Sequence, residues 1–253
     1  GSALKPFTYA LALERGFSPV SVIPDVKASY IDSNGDRYSP RNYSEEFYGP
    51  VLLAEALGRS LNVSAIWVAN AVGTNGLLNR LHKAGFTSLD KKPEHYGLGL
   101  TLGNGEVTLL ELARGYALFP RNGKICHTKA ILDTPPSGRK ETDGKTDQTR
   151  GRNPSRESDT GEMIDDPRET SPGSESGSGD RADNPAEVCF SREVCYMITD
   201  ILSNDQLRIR AFGALNPLLL EFPMAIKTGT SSNWRDNWVA GYTRDITIAV
   251  WAG

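Results

Sequence analysis

Residues 134–184 hold only three apolar side chains, Met163, Ile164 and Ala182, in a run of Ser, Gly, Thr, Pro, Asp, Glu, Arg and Lys. A tract this poor in apolar area cannot offset the entropy of ordering it. It is expected to be a disordered polar insertion, and the core must come from the sequence on either side. The tract carries eight Lys/Arg against twelve Asp/Glu, a net charge of −4 in a chain whose formal charge is −3. The remainder is therefore close to neutral, which argues against a nucleic-acid surface. The length of 253 residues suits one large domain or two small ones.

Before the tract the pattern is helical. "SALKPFTYALALERG" places Leu4, Phe7, Leu11 and Leu13 in a helix that begins near Ser2, a possible N-cap, and closes at Gly16. Residues 18–50 read as an extended loop region, with "SNGDR" as a turn. "PVLLAEALGRS" reads as a helix with Pro50 near its start and a break around Gly58. "LNVSAIWVANAVG" and "NGLLNRLHKAG" read as two more, separated near Gly73. "TLLELARGYALF" is another, capped by Thr108 and stopped by "PRNGK".

After the tract "SREVCYMITDILS" resumes helix. "FPMAIKTGT", "NWVAGYT" and "ITIAVWAG" then read as three strands, antiparallel neighbours, with "TRD" in one hairpin connection. A mostly helical half followed by an antiparallel sheet is an α+β arrangement.

No stretch approaches the roughly 20 apolar residues of a membrane span. The chain opens without Met at "GSALKPF" and stops within a strand-like "VWAG", so it reads as a fragment of a longer protein. The absence of a targeting segment therefore says nothing of where the parent resides. Cys126, Cys189 and Cys195 show no paired metal spacing with one another or with His82, His95 and His127, which argues against a zinc site. Cys189 and Cys195 flank one helical pattern and read as ordinary, partly buried thiols.

Three short motifs could carry chemistry. Ser2-Ala3-Leu4-Lys5 is an S-x-x-K at a helix start, which sets hydroxyl and amine one turn apart on one face. A lysine made neutral by its surroundings could take the serine proton, and a helix start favours an oxyanion. Such a match also arises by chance about once per ~250 residues at average composition. Ser60-Leu61-Asn62 falls between two helices, where it could present a hydroxyl and an amide to a cleft or simply cap a helix. Lys227-Thr228-Gly229-Thr230-Ser231 lies on a strand although Thr, Gly and Ser are not what packing selects there. Alternation puts Thr228 and Thr230 on one face and Lys227 on the other, while Gly229 permits close approach of a ligand chain. The competing reading is a solvated edge with a gatekeeper lysine.

The order S-x-x-K, S-x-N, K-T-G is the serine–lysine acyl-transfer constellation. Here the chain resembles the transpeptidase family of penicillin-binding proteins, and most closely the 1C type of the bifunctional class A enzymes. "GSALKPFTYALALERG", "SVIPDV", "YSPRNYSEEFYGPVLLAEALGRSLNVSA", "ELARGYALFPRNGK" and "FPMAIKTGTSSNWRDNWVAGYT" carry the resemblance, which spans nearly everything except 134–184. It implies a transpeptidase domain over 1–253 in the two-subdomain serine penicillin-recognising fold, incomplete at both ends.

The resemblance also implies roles. Ser2 would be the acylated nucleophile and Lys5 its base. Ser60 would relay protons between Lys5, Lys227 and the departing amine. Asn62 would hydrogen-bond the donor peptide, and Thr228 and Thr230 would hold the substrate carboxylate, with Gly229 and Ser231 completing the strand that binds it. The N–H groups of Ser2 and Thr230 would form an oxyanion hole. The implied partners are peptidoglycan stem peptides, a D-Ala-D-Ala donor and an amine acceptor, with β-lactams as inhibitors and no metal or cofactor. The implied parent is membrane-anchored, carries a glycosyltransferase domain and works at the extracytoplasmic face of the inner membrane. Nothing after Ser60 resembles the general-base glutamate loop of class A β-lactamases, which points to a long-lived acyl-enzyme. The alternatives are a D,D-carboxypeptidase or β-lactamase-like hydrolase, and a non-catalytic binding module.

Overall fold

The computed structural model describes residues 1–31, 35, 37–125, 128–129, 187–231 and 235–253. The tract 134–184, with Cys126, His127 and most of the "SNGDR" turn, lies outside the described residues. The described segments on either side of the tract pack into one compact unit.

The chain opens with a 3-10 turn, Ser2–Leu4, that runs into α1, Lys5–Glu14. Two short ribbons follow. β1 (Val22–Asp25) pairs antiparallel with β4 (Gly49–Leu52), and β2 (Tyr30–Ile31) pairs with β3 (Arg37–Tyr38). Next come α2 (Leu53–Gly58), α3 (Asn62–Val72), α4 (Thr74–Lys83), the short α5 (Pro93–Tyr96), a 3-10 segment Gly97–Leu102, and α6 (Leu109–Tyr116). After the tract come α7 (Arg192–Ser203), α8 (Asp205–Phe212) and the strands β5 (Ala225–Thr230), β6 (Asn237–Tyr242) and β7 (Thr247–Ala252). These strands form one antiparallel sheet in the order β5-β6-β7, as the pattern predicts.

Helix α1 is the centre of the unit. Every side chain from Lys5 to Leu13 is buried, as expected of a helix surrounded by protein rather than facing water. Phe7 meets Phe86 edge-on at 5.1 Å and Tyr116 at 5.8 Å between ring centroids. Phe119 stacks on Tyr242 at 5.8 Å and so joins the helical layer to the sheet. Gly73, at φ 73°, closes α3 and opens α4 in a backbone region that side chains disfavour. Thr108 caps α6 with its hydroxyl, as its position suggests.

Four expectations change. The helix assigned from Pro50 starts at Leu53, because residues 49–52 are strand β4. Pro24 stands opposite Pro50 in that ribbon. Neither proline has an N–H, so the two occupy a non-hydrogen-bonded pair and cost the ladder nothing. Residues 18–50, expected as loop, thus supply three strands and the start of a fourth. Ser2 caps no helix: its turn has Gly1 at the cap position and no side-chain cap bond. Cys195 lies inside α7, and both it and Cys189 are fully buried, not partly. Burial pushes their thiols up to about 12 and about 11.

Candidate active site

The 3-10 turn at Ser2 is held from two sides. The Tyr116 hydroxyl, on α6, donates to Ala3 O at 2.7 Å. On the other side the end of β5 lies against the turn. A Cβ on Gly229 would come within 3.0 Å of Ala3 N and 3.2 Å of Ser2 N. The bare face of Gly229 therefore admits the Ser2–Ala3 backbone, an approach any side chain would block. The sequence reading assigned that space to a ligand chain; the structure fills it with protein.

One turn on, Lys5 is completely buried. Its Nζ lies 2.6 Å from Ser60 O, 2.7 Å from Asn62 Oδ1 and 3.3 Å from Ser60 Oγ. Lys227 is also buried, at 4 % exposure, and reaches the same hydroxyl. Its Nζ donates to Ser60 Oγ at 2.8 Å and to Thr228 O at 2.9 Å. It sits on the inner face of β5, opposite Thr228 and Thr230 as alternation requires, and the gatekeeper reading is excluded by its burial. Ser60, between α2 and α3, has φ 59°, uncommon for a residue with a side chain.

Two ammonium groups so close and so dry cannot both keep their ordinary affinity for protons. Burial, and then the neighbouring Lys227 charge, hold Lys5 well below the usual lysine range, while Asp25 pulls the other way. Burial lowers Lys227 to about 7. A neutral Lys5 has two N–H groups and one lone pair. The two short contacts, to Ser60 O and Asn62 Oδ1, use both N–H groups. The lone pair of that neutral form would then face Ser60 Oγ at 3.3 Å, where it can accept a hydroxyl proton as a general base must. Ser2 is not among the hydrogen-bond partners of Lys5 in the described residues; it sits half-buried on the wall of the cleft beside it.

That cleft has a volume of about 1360 Å³. Ser2, Ser60 and Asn62 line it together with Thr228, Gly229, Thr230 and Ser231, so these predicted site residues meet at one cavity, with the two lysines beneath Ser60. Asp236, at the entry to β6, fixes the end of β5. Its carboxylate accepts from Ser231 Oγ at 2.7 Å and from Trp251 Nε1 at 2.9 Å, and Ser231 N donates to Asp236 O at 2.9 Å.

The alternative of a helix cap at Ser60-Leu61-Asn62 does not hold. Leu61 occupies the cap position of α3 and makes no side-chain cap bond. Asn62 is the first helical residue; its Oδ1 takes Lys5 and its Nδ2 donates to Arg41 O at 3.0 Å. Sequence reasoning missed the groups behind it. Asp25, fully buried on β1, and Asn42, nearly so, bond to one another and to the start of α3. The available signal was an acidic residue inside the apolar run "SVIPDV".

The family model described as "Penicillin binding protein transpeptidase domain" matches residues 1–252. Penicillin-binding protein 1A of Pseudomonas aeruginosa is 28% identical over 100% of this chain and 32% of its own length. Penicillin-binding protein 1C of Escherichia coli is 29% identical over 100% of this chain and 26% of its own length. The chain thus spans about a third or less of these relatives. Among solved structures, penicillin-binding protein 1A from Haemophilus influenzae shares the fold at a TM-score of 0.67, with 21% identity, covering 99% of this chain and 37% of that one.

Proposed function

The chain belongs to the penicillin-binding protein transpeptidase domain family, and on that premise we propose that it is the penicillin-sensitive D,D-transpeptidase domain of a longer cell-wall enzyme. The observation that carries this reading is the convergence of two buried lysines on one serine hydroxyl, at 2.8 and 3.3 Å, beside Ser2 and the open end of β5.

In this reading Ser2 Oγ attacks the penultimate D-Ala carbonyl of a stem peptide. Its proton passes to the lone pair of Lys5. The developing oxyanion is met by the N–H groups of Ser2 and Thr230; donors aimed this way are typically worth about 3–4 kcal/mol each. Ser60 passes a proton to the departing terminal D-Ala, drawing on Lys5 and Lys227. The acyl group is then transferred from Ser2 to the amine of a second stem peptide. Thr228 and Thr230 hold the donor carboxylate, Asn62 holds its backbone, and the donor lies along β5 as an added strand, with Gly229 and Ser231 giving that edge its shape. A β-lactam enters the same path and stays on Ser2.

The parent protein, in the same reading, carries a membrane anchor and a glycosyltransferase domain and acts outside the cytoplasm. Among the described residues no helix is long and apolar enough to cross a membrane. The tract 134–184 is read as a polar insertion within the domain.

The test is covalent labelling. The chain, a parent-length version and Ser2→Ala of each are incubated with a fluorescent penicillin and run on a denaturing gel. A stable band lost with Ser2→Ala supports the serine acyl-enzyme. A band that forms and decays within minutes supports a hydrolase instead. Folded protein that never labels leaves a non-catalytic binding module.

A further inference from the structure

Helix α3 begins at the active site but lacks a cap of its own. The first N–H groups of any helix have no intrahelical acceptor, and a Ser, Thr, Asp or Asn at the cap position usually supplies one. Here that position is Leu61, and the serine next to it is turned toward the lysines. The missing acceptor comes from a different part of the chain. Asn42 Oδ1 accepts from Asn62 N at 2.8 Å and from Val63 N at 3.1 Å.

The Asn42 amide is held in the orientation this requires. Its Nδ2 donates to Asp25 Oδ2 at 2.8 Å and to Glu46 O at 2.9 Å, so all of its N–H and carbonyl capacity is used. Flipping the amide would set its oxygen against a carboxylate and its NH2 against two N–H donors. Asp25 is itself anchored. Tyr48 N donates to Oδ2 at 2.9 Å and Ser64 Oγ to Oδ1 at 3.0 Å, and the carboxylate is fully buried. Ser64 is the third residue of α3, so the first turn of the helix is gripped twice, through Asn42 at Asn62 and Val63 and through Asp25 at Ser64.

We propose that Asn42 is a positioning residue of the active site: anchored by the buried Asp25 carboxylate, it caps α3 from outside the helix and so fixes Asn62 and Ser60 against Lys5. The inference deepens the function proposed above and rests on that reading for its catalytic consequence. A cap taken from Ser60 would withdraw its hydroxyl from the lysines. Supplying the cap from Asn42 leaves Ser60 and Asn62 free to face Lys5.

Two measurements on the full chain test this. The first is amide hydrogen exchange at Asn62 and Val63, which does not depend on activity. Asn42→Ala is expected to strip protection from these two amides while α1 keeps its own. Asp25→Asn, whose carbonyl oxygen can replace Oδ2, is expected to retain it. The second is the second-order rate of labelling by a fluorescent penicillin, taken well below the melting temperature of each variant. Misplacing catalytic groups by about 1 Å can cost on the order of 100-fold, and Asn42→Ala is expected to lose roughly 10- to 100-fold. A folded Asn42→Ala with wild-type protection at Asn62 and Val63 overturns the inference. So does lost protection with an unchanged labelling rate, since the cap would then be structural only. If the wild-type chain itself does not label, the proposed function fails, and the exchange result alone decides whether Asn42 is the cap.

Discussion

Lys227 Nζ stands 2.8 Å from Ser60 Oγ across 167 residues of sequence, and that contact ties the sheet to the helical layer at the floor of the cleft. It also fixes how Ser60 can be replaced. Its φ of 59° costs a residue with a Cβ about 1–2 kcal/mol that glycine does not pay. Ser60→Gly should therefore be more stable than Ser60→Ala by about 1 kcal/mol, read from urea unfolding midpoints. If Ser60 is the relay proposed above, both should lose penicillin labelling by on the order of 100-fold or more. Equal stability of the two would contradict the backbone argument; wild-type labelling of either would remove Ser60 from the relay.

The same contact predicts a pH dependence. Lys227 has a folded-state pKa of about 7 against an ordinary 10.5. Between those values the unfolded chain binds the extra proton, so stability rises with pH and the full cost of a buried charge is felt below about 7. Buried tyrosines and thiols oppose this at higher pH, since Tyr116, Tyr242 and Cys195 are all held protonated by folding. Comparison with Lys227→Met removes the lysine together with its effect on Lys5 and the N-terminus. The wild type should gain on the variant as pH rises from 7 to 9 in thermal melts. A difference that stays constant over that range would show that Lys227 does not titrate there.

What could be read from the sequence was local. Lys227 to Ser231 announced themselves because Thr, Gly and Ser interrupt an apolar strand, and the three strands around them followed from alternation. From their residue types alone Ser60 and Asn62 could not be told from a helix cap, and their roles came from the family resemblance; the position of Leu61 at the cap excludes the cap reading. β1 and β4 were missed because both carry proline and the pairing that makes them strands is with each other. Asn42 and Asp25 were missed for a related reason. Apart from Glu46, their partners lie 17 to 39 residues away, and such contacts leave no period in the sequence.

Gly229 offers a third prediction. A Cβ there would meet Ala3 N at 3.0 Å and Ser2 N at 3.2 Å, closer than nearly all real Cβ contacts, and both are backbone atoms that cannot swing aside. Gly229→Ala must push β5 away from the Ser2 turn. The expected cost is about 1–3 kcal/mol of stability, as for other overpacked sites. Labelling should fall by on the order of 100-fold even where the protein is fully folded, because the turn and the strand separate. Unfolding midpoints and labelling rates measured on one preparation check both. Normal labelling would mean that the contact can relax without moving Ser2.

Glu111 provides a prediction away from the cleft. Its carboxylate accepts from Thr87 Oγ1 at 2.9 Å and Ser88 N at 2.8 Å on one oxygen, and from Ser88 Oγ at 2.5 Å and Thr108 N at 2.9 Å on the other. Burial alone would raise its pKa, but these bonds outweigh burial and lower it to about 2 from 4.5. The stabilisation is present above pH 4.5 and is lost as pH falls toward 2, since the unfolded chain takes up the proton first. Glu111→Gln would turn an NH2 group toward N–H or O–H donors and should cost about 2–3 kcal/mol at neutral pH. In acid the wild type should lose its advantage, so that the two proteins converge near pH 2. Urea unfolding of both at pH 7, 4 and 3 measures this. A gap between them that persists unchanged at pH 3 would show that the ionised carboxylate is not the source of the stability.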